Sequence, residues 1–369
     1  MKNLPKRSSN LNERMQKIVP LARLKAQFIV FFLTFFLALS STAAQSRTVV
    51  DSRGQAIEIP EKVERVAPLI PAFAQMTEML TLGSGKIVAY PTSVISQYFK
   101  KVFPDIVASN PANYDTGAIE DIIASGAQVV FGPDSRLSEE QRAQLAKANV
   151  AMVAINDIAT VDAICRSFLL IGEILGPEET KRAQLFATYY QDNENLARKL
   201  SASIPESEKQ KVLVLSGQGG RFSTITTKDI GHEHLTAAGG LNVAADYMSG
   251  LQGMSMTIDP EQIISWDPDF ILAYSFSARD DIINNSIFSD LKAVKNNRVV
   301  TCPQGIFLWA VRSGEGALMA LWLGTQLYPE EFKSIDVRAM VRDFFKNFYN
   351  YDLPPDELEK ILLGQTRDI

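Results

Sequence analysis

The sequence predicts an α/β fold of two Rossmann-like lobes, each built on a parallel sheet, joined by one long rigid helix with a ligand cleft between the lobes. Three observations carry this. Short apolar runs alternate with helical stretches of about ten to fifteen residues, the pattern of βαβ units. From Pro177 to Ser203 no Gly or further Pro interrupts, which makes one helix of about 25 residues, on the order of 40 Å long. And one helix–turn–strand unit is written twice. Residues 119–131 (IEDIIASGAQVVF) and 260–272 (PEQIISWDPDFIL) align without a gap, with Glu120 on Glu261, Ile122-Ile123 on Ile263-Ile264, and Val129-Val130-Phe131 on Phe270-Ile271-Leu272. The copies lie 141 residues apart, far beyond the period of about 20–50 residues found in solenoids. Two lobes, one copy in each, fit that offset.

The elements follow in order. Residues 1–44 form a signal peptide: a basic segment (Lys2, Lys6, Arg7, Arg14, Lys17, Arg23, Lys25), an apolar run at 28–39, and small residues ending at Ala44 before a cut at Gln45. Met15 is an alternative start. The apolar run of 12 residues is shorter than the roughly 20 needed to span a bilayer. No Cys follows it, so no lipid anchor is expected and a periplasmic location is. Residues 45–176 make the first lobe: a hairpin at 48–59, a strand at 65–71 breaking into a loop at Pro71-Ala72-Phe73, a helix over about 75–82, and strands at 86–90, 128–131 and 150–155. A helix at 160–175 stops at Gly176, and Pro177 can occupy the first position of the next. The interlobe helix covers 177–204. The second lobe, 205–330, opens with a strand at 211–216 and a Gly-rich loop at 217–222. A helix at 231–238 follows, then a strand at 298–302 and an apolar helix at 314–327. A helical tail, 331–369, carries Phe332, Phe344, Phe345, Phe348, Tyr349 and Tyr351, read as packing.

The pI of about 5.3 argues against nucleic acid as a partner. Without residues 1–44 the chain keeps 30 basic and 41 acidic residues, a net charge of −11. Cys165 and Cys302 are the only cysteines and are expected as free buried thiols. Two His and two Cys exclude a His/Cys-rich metal centre, and no resident cofactor is expected.

Ligands of open parallel sheets bind beyond the C-terminal ends of strands. The candidates there are Phe73, Tyr90, Tyr114, Arg221, Tyr274, Trp309 and Arg312. Arg holds a carboxylate, catecholate or oxyanion with paired hydrogen bonds, and Tyr and Trp add flat contact area with a polar end. Gly217–Gly220 matches neither GxxxxGK[ST] nor GxGxxG and reads as a turn. His232 and His234 stand two apart, so a helix would aim them differently, and a catalytic zinc asks for a third ligand. No GxSxG occurs. Asp259-Pro260-Glu261-Gln262 reads as a helix start, with Asp259 as cap and Gln262 closing a capping box. Glu261 then lies in the first turn, as Glu120 does, where the helix dipole favours a carboxylate.

In this order along the chain, the segments resemble the class III periplasmic binding proteins of ABC importers, which carry ferric siderophores, haem, cobalamin and related chelates. The resemblance runs through 65–88, 119–131, 237–243 (AAGGLNV), 260–272, 291–303 and 309–331. The part from Trp309 looks like a branch whose relatives carry iron chelates and, in some cases, molybdate or tungstate. The resemblance implies two lobes on a rigid helix, capture of ligand between them, and delivery to a dimeric permease in the inner membrane. In the cobalamin-binding member one Glu on each lobe docks on permease Arg residues, and Glu120 and Glu261 hold those positions here. Bare zinc or manganese sites of this fold use several His, and this chain has two. The expected ligand is thus an iron–siderophore-like chelate, the alternative an oxyanion or a corrinoid, and the protein is expected to act as a monomer. A periplasmic α/β enzyme using His232 and His234 is the competing class.

Overall fold

The computed structural model describes residues 45–91, 96–108, 112–114, 119–248 and 253–366. The predicted leader lies outside the described residues. The chain opens on the expected hairpin, β1 (Ser46–Val50) antiparallel to β2 (Ala56–Pro60). Asp51 holds its turn by accepting from the amides of Arg53 and Gln55 at 2.9 and 3.0 Å.

The first sheet is parallel, in the order β3 (Val66–Pro68), β6 (Val129–Gly132), β7 (Ala151–Ala154). Beside it β4 (Ala89–Pro91) pairs in parallel with β5 (Ala112–Tyr114). Its helices are α1 (Pro71–Thr81), α2 (Gln97–Val102), α3 (Pro104–Ala108), α4 (Ile119–Ala124), α5 (Glu139–Lys147) and α6 (Val161–Leu175). α1 begins at Pro71, not after Phe73 as the sequence reading had it. Proline's fixed φ suits the first helical position, so the expected loop is already helix and Phe73 turns into the core.

α7 (Pro177–Ser201) is the long helix, 25 residues, begun by Pro177. α6 packs against it closely at Gly172, where a Cβ would stand 2.9 Å from that of Ala183.

The second sheet is mixed. Its parallel part is β10 (Leu241–Asn242), β8 (Lys211–Gln218), β12 (Phe270–Ala273) and β13 (Val299–Thr301). β9 (Arg221–Ile225) and β11 (Ser255–Ile258) extend it antiparallel. The expected Gly-rich loop is a two-residue hairpin. Gly219 and Gly220 hold φ of +64° and +76°, the left-handed pair that such a turn needs. The helices are α8 (Ile230–Ala237), α9 (Pro260–Trp266), α10 (Phe276–Ile283), α11 (Lys292–Lys295) and α12 (Met319–Leu327), then α13 (Val337–Tyr349) and α14 (Pro355–Leu362) in the tail. Pro260 does start α9, but Asp259 makes no side-chain cap bond. Its backbone carbonyl takes the amides of Gln262 and Ile263 instead, at 3.1 and 3.3 Å.

Strand alternation divides the apolar residues. Val212 and Val214 of β8 enter a core that runs from Val49 to Ile361 and includes Val129 and Phe131 of the first sheet. Leu213 and Leu215 face a second core with Ile271 and Phe288, and Val130 faces a third with Ile122 and Leu145. Phe332, Phe344, Phe345 and Tyr349 are buried in the large core, with Phe348 and Tyr351 against it. The aromatic tail is packing, as expected. Cys165 and Cys302 are buried and free.

Candidate functional site

A cavity of about 530 Å³ opens where the two sheets' loops meet. One side comes from the first sheet: Ile70, Pro71 and Ala72 after β3, Pro133, Ser135 and Arg136 after β6, and Asn156 and Ile158 after β7. The other side is Met254 before β11, with Phe307, Val311 and Arg312 after β13. All but Met254 follow strand C-termini, where ligands of such sheets bind.

Arg312 is half-buried and oriented. Its Nη1 donates to Asp229 Oδ2 at 3.0 Å and lies as close to the Met254 sulfur. Asp229 in turn caps α8, accepting from the Gly231 amide at 2.9 Å. Arg136 ends a 3₁₀ turn, Asp134–Arg136. That turn is pinned by Asn156, which accepts from the Asp134 amide at 2.9 Å, and by Arg142, which donates to the carbonyls of Asp134 and Leu137 at 3.0 and 2.6 Å. Arg136 is exposed, and the adjacent Asp134 pairs with Arg53 instead, at 3.4 Å. α1 also borders the cavity with its N-terminal end, which no side chain caps, and such an end favours an anion. Among the described residues two guanidiniums and no carboxylate are in the lining of this cavity.

Of the six expected cleft residues whose side chains are described, Arg312 lines it. Phe73 is wholly buried on α1 with its ring 6.3 Å from that of Phe131. Trp309 is wholly buried and donates its indole N–H to Glu315 at 3.0 Å. Both are core residues because the segments that carry them turn inward. Tyr90 is half-buried on β4. Tyr114 sits on β5, outside the residues whose side chains are described. Arg221 is exposed at the start of β9, one residue past the glycine turn. Tyr274 borders a neighbouring polar cavity of about 340 Å³ with Ser275, Ser277 and Gln304, its hydroxyl 3.5 Å from the Ala310 carbonyl. Burial, with Asp229 adding to it, holds that hydroxyl's pKa well above the usual tyrosine range. The residue that the sequence reading missed is Arg136. Its signal was there, since it lies on the loop after the strand of the first repeat copy.

His234 is wholly buried, with Nδ1 3.1 Å from Glu194 and Nε2 3.2 Å from the Tyr190 hydroxyl. His232 is half-buried beside Asn242 on another cavity, and burial pushes its pKa down. The two imidazoles diverge, as a helix requires. Among the described residues no group of three or more His, Cys, Asp or Glu could hold a metal ion, and no helix is long and apolar enough to cross a membrane.

A family profile described as periplasmic binding protein matches residues 100–305, more than half of the chain. The chain belongs to the periplasmic binding protein family. The molybdate-binding protein MolA of Haemophilus influenzae is 23% identical over 364 residues, 90% of this chain and 99% of MolA. A periplasmic solute binding protein from Veillonella parvula superposes with a TM-score of 0.76 at 25% identity, covering 88% of this chain and 100% of that one. The MolA structure bound to molybdate superposes at 0.71 with 20% identity, covering 84% of this chain and 100% of that one. The protein is thus a substrate-binding protein of the ABC-importer class and not an enzyme, which removes the reading built on His232 and His234. Its relatives are periplasmic or otherwise extracytoplasmic. Binding proteins of this class deliver their ligand to a membrane permease.

Proposed function

We propose that the cavity between the two sheets captures an anionic metal chelate of the ferric-siderophore kind. One observation carries this: Arg136 and Arg312 line the cavity, Arg312 held in place by Asp229, and among the described residues no carboxylate is part of the lining, in a chain of net negative charge. Charge-assisted bonds to guanidinium are the strong ones for an anionic oxygen ligand. Ile70, Ile158, Phe307 and Val311 make the rest of the lining partly apolar, which suits a ligand with an organic periphery over a bare ion. A second reading, a molybdate-type oxyanion, is favoured by the uncapped end of α1 at the cavity and by the likeness to MolA.

Calorimetric titration with a ferric catecholate complex, molybdate and tungstate separates the two readings. Two charge-assisted bonds, each worth about 1.5–3 kcal/mol, are lost in the double variant Arg136→Ala/Arg312→Ala, and affinity should fall about 100-fold or more. Unchanged affinity would sink the assignment of the cleft.

Delivery is proposed to use Glu120 and Glu261. Each is exposed in the first turn of its helix, α4 and α9, one after each sheet's opening strands. Glu120→Ala/Glu261→Ala should leave ligand affinity as it is and abolish uptake by cells. Loss of affinity in that variant would remove the docking role. The exported, monomeric state follows the same reading, with cleavage before Gln45 checked by N-terminal sequencing of the periplasmic protein.

A further inference from the structure

The second side of the cavity hangs on a residue that does not line it. Glu315 is wholly buried. Its Oε2 accepts from the Gly305 amide at 2.9 Å and from the Trp309 indole at 3.0 Å. Its Oε1 accepts from the Ile306 amide at 2.8 Å, the Tyr349 hydroxyl at 2.7 Å and the Phe307 amide at 3.4 Å. Three consecutive loop amides thus converge on one carboxyl group. Buried amides need partners, and residues 303–313 form no regular strand or helix that could supply them. No Lys or Arg touches Glu315 among the described residues, so hydrogen-bond donors alone compensate it. Gly305 is required here because a Cβ would collide with Oε2. The same cluster reaches α1. Gln75 accepts from the Gly314 amide at 3.0 Å and donates to the Tyr349 hydroxyl at 2.6 Å. α1 brings Pro71 and Ala72 to the opposite side of the cavity.

We propose that Glu315 is the positioning residue of the ligand site: its buried carboxylate gathers the 303–313 loop and so sets Phe307 and Arg312 against the cavity. The proposal rests on the reading of that cavity as the ligand site. Every partner of Glu315 donates, so the group works as a carboxylate. Burial pushes it up to about 7, against the pull of the Tyr349 hydroxyl and the loop amides. Gln in its place turns one acceptor into a donor facing donors.

The test combines hydrogen exchange with titration on the whole protein from Gln45 onward. Glu315→Gln should speed exchange at the amides of 305–307 at least about tenfold. It should also weaken binding of the probe that the parent holds, ferric catecholate or molybdate, by about tenfold or more. Glu357→Gln is the control, since Glu357 is as buried a carboxyl but is held by Lys101, Tyr98 and Tyr351 and lines no part of the cavity. It should lower the melting temperature and move neither readout. In an Arg312→Ala background Glu315→Gln should add a smaller loss than in the parent, because part of its effect passes through Arg312. The same loss in both backgrounds, or unchanged exchange at 305–307, overturns the proposal. If Glu315→Gln does not fold, Trp309→Phe keeps an aromatic side chain there and removes the indole donor. Exchange at 305 should then rise with about a threefold loss of affinity, and no change in either overturns the proposal. A parent that binds neither probe defeats the proposed ligand class, while the exchange result still decides the role of Glu315.

Discussion

Glu78 is a carboxyl group inside the core. It is wholly buried on α1, and both of its oxygens lack a hydrogen-bond partner among the described residues. Burial, with Asp105 adding to it, pushes its pKa from 4.5 up to about 8. For a folded-state pKa raised above the unfolded one, the stabilising contribution is complete below the unfolded value and is lost as pH rises through the folded one. The window here runs from about 4.5 to about 8. Glu78→Gln removes the titration. In urea melts it should match the parent near pH 4.5 and exceed it at pH 9 by about 1–3 kcal/mol. Equal stability at pH 9 would mean that water already reaches the carboxyl. Neither Glu78 nor Glu315 was legible in the sequence. An acidic residue in an apolar helix reads as its solvent face, and only the fold shows that residues 72–81 are buried all round. Arg312 and Arg221 read alike in the sequence, each a cation on a loop after a strand, and only the fold separates them, with Arg312 in the cavity lining and Arg221 exposed on β9. Trp309, three residues before Arg312, is buried because the loop coils around Glu315.

At the scale of elements, caps separate what a motif promises from what the chain forms. Thr160 accepts from the Ala163 amide at 3.1 Å at the start of α6, and Asp259 makes no such bond at the start of α9. Thr160→Ala should therefore cost about 1 kcal/mol, and Asp259→Ala no more than a few tenths. Denaturant midpoints at constant slope measure both, and the opposite ranking would restore the capping box read from the sequence. The ends of α6 and α7 were legible because Gly176-Pro177 punctuates them. The antiparallel strands β9 and β11 were not. A glycine pair does not reveal whether the next strand returns beside its neighbour or crosses the sheet, since that depends on what lies beside the edge.

At the scale of the molecule, one core joins the two sheets. Residues of β6 and β8 meet it through α6, α7 and the tail, and the chain from Ser46 onward is one compact unit. Lobes with separate cores would melt separately. A continuous core predicts a single calorimetric transition whose calorimetric and van't Hoff enthalpies agree, and two resolved transitions would contradict it.

The sequence by itself determined the class of fold, the long helix, the repeated helix–turn–strand units and the family, because these rest on local periodicity, punctuation and order along the chain. The tertiary structure alone decided where the candidate cavity lies. Arg136 and Arg312 lie 176 positions apart in the chain, and only the meeting of loops from two sheets brings them to one cavity. The burial that surrounds Glu315 with donors, and keeps Phe73 and Trp309 out of the cavity lining, likewise follows from long-range packing, which no local pattern encodes.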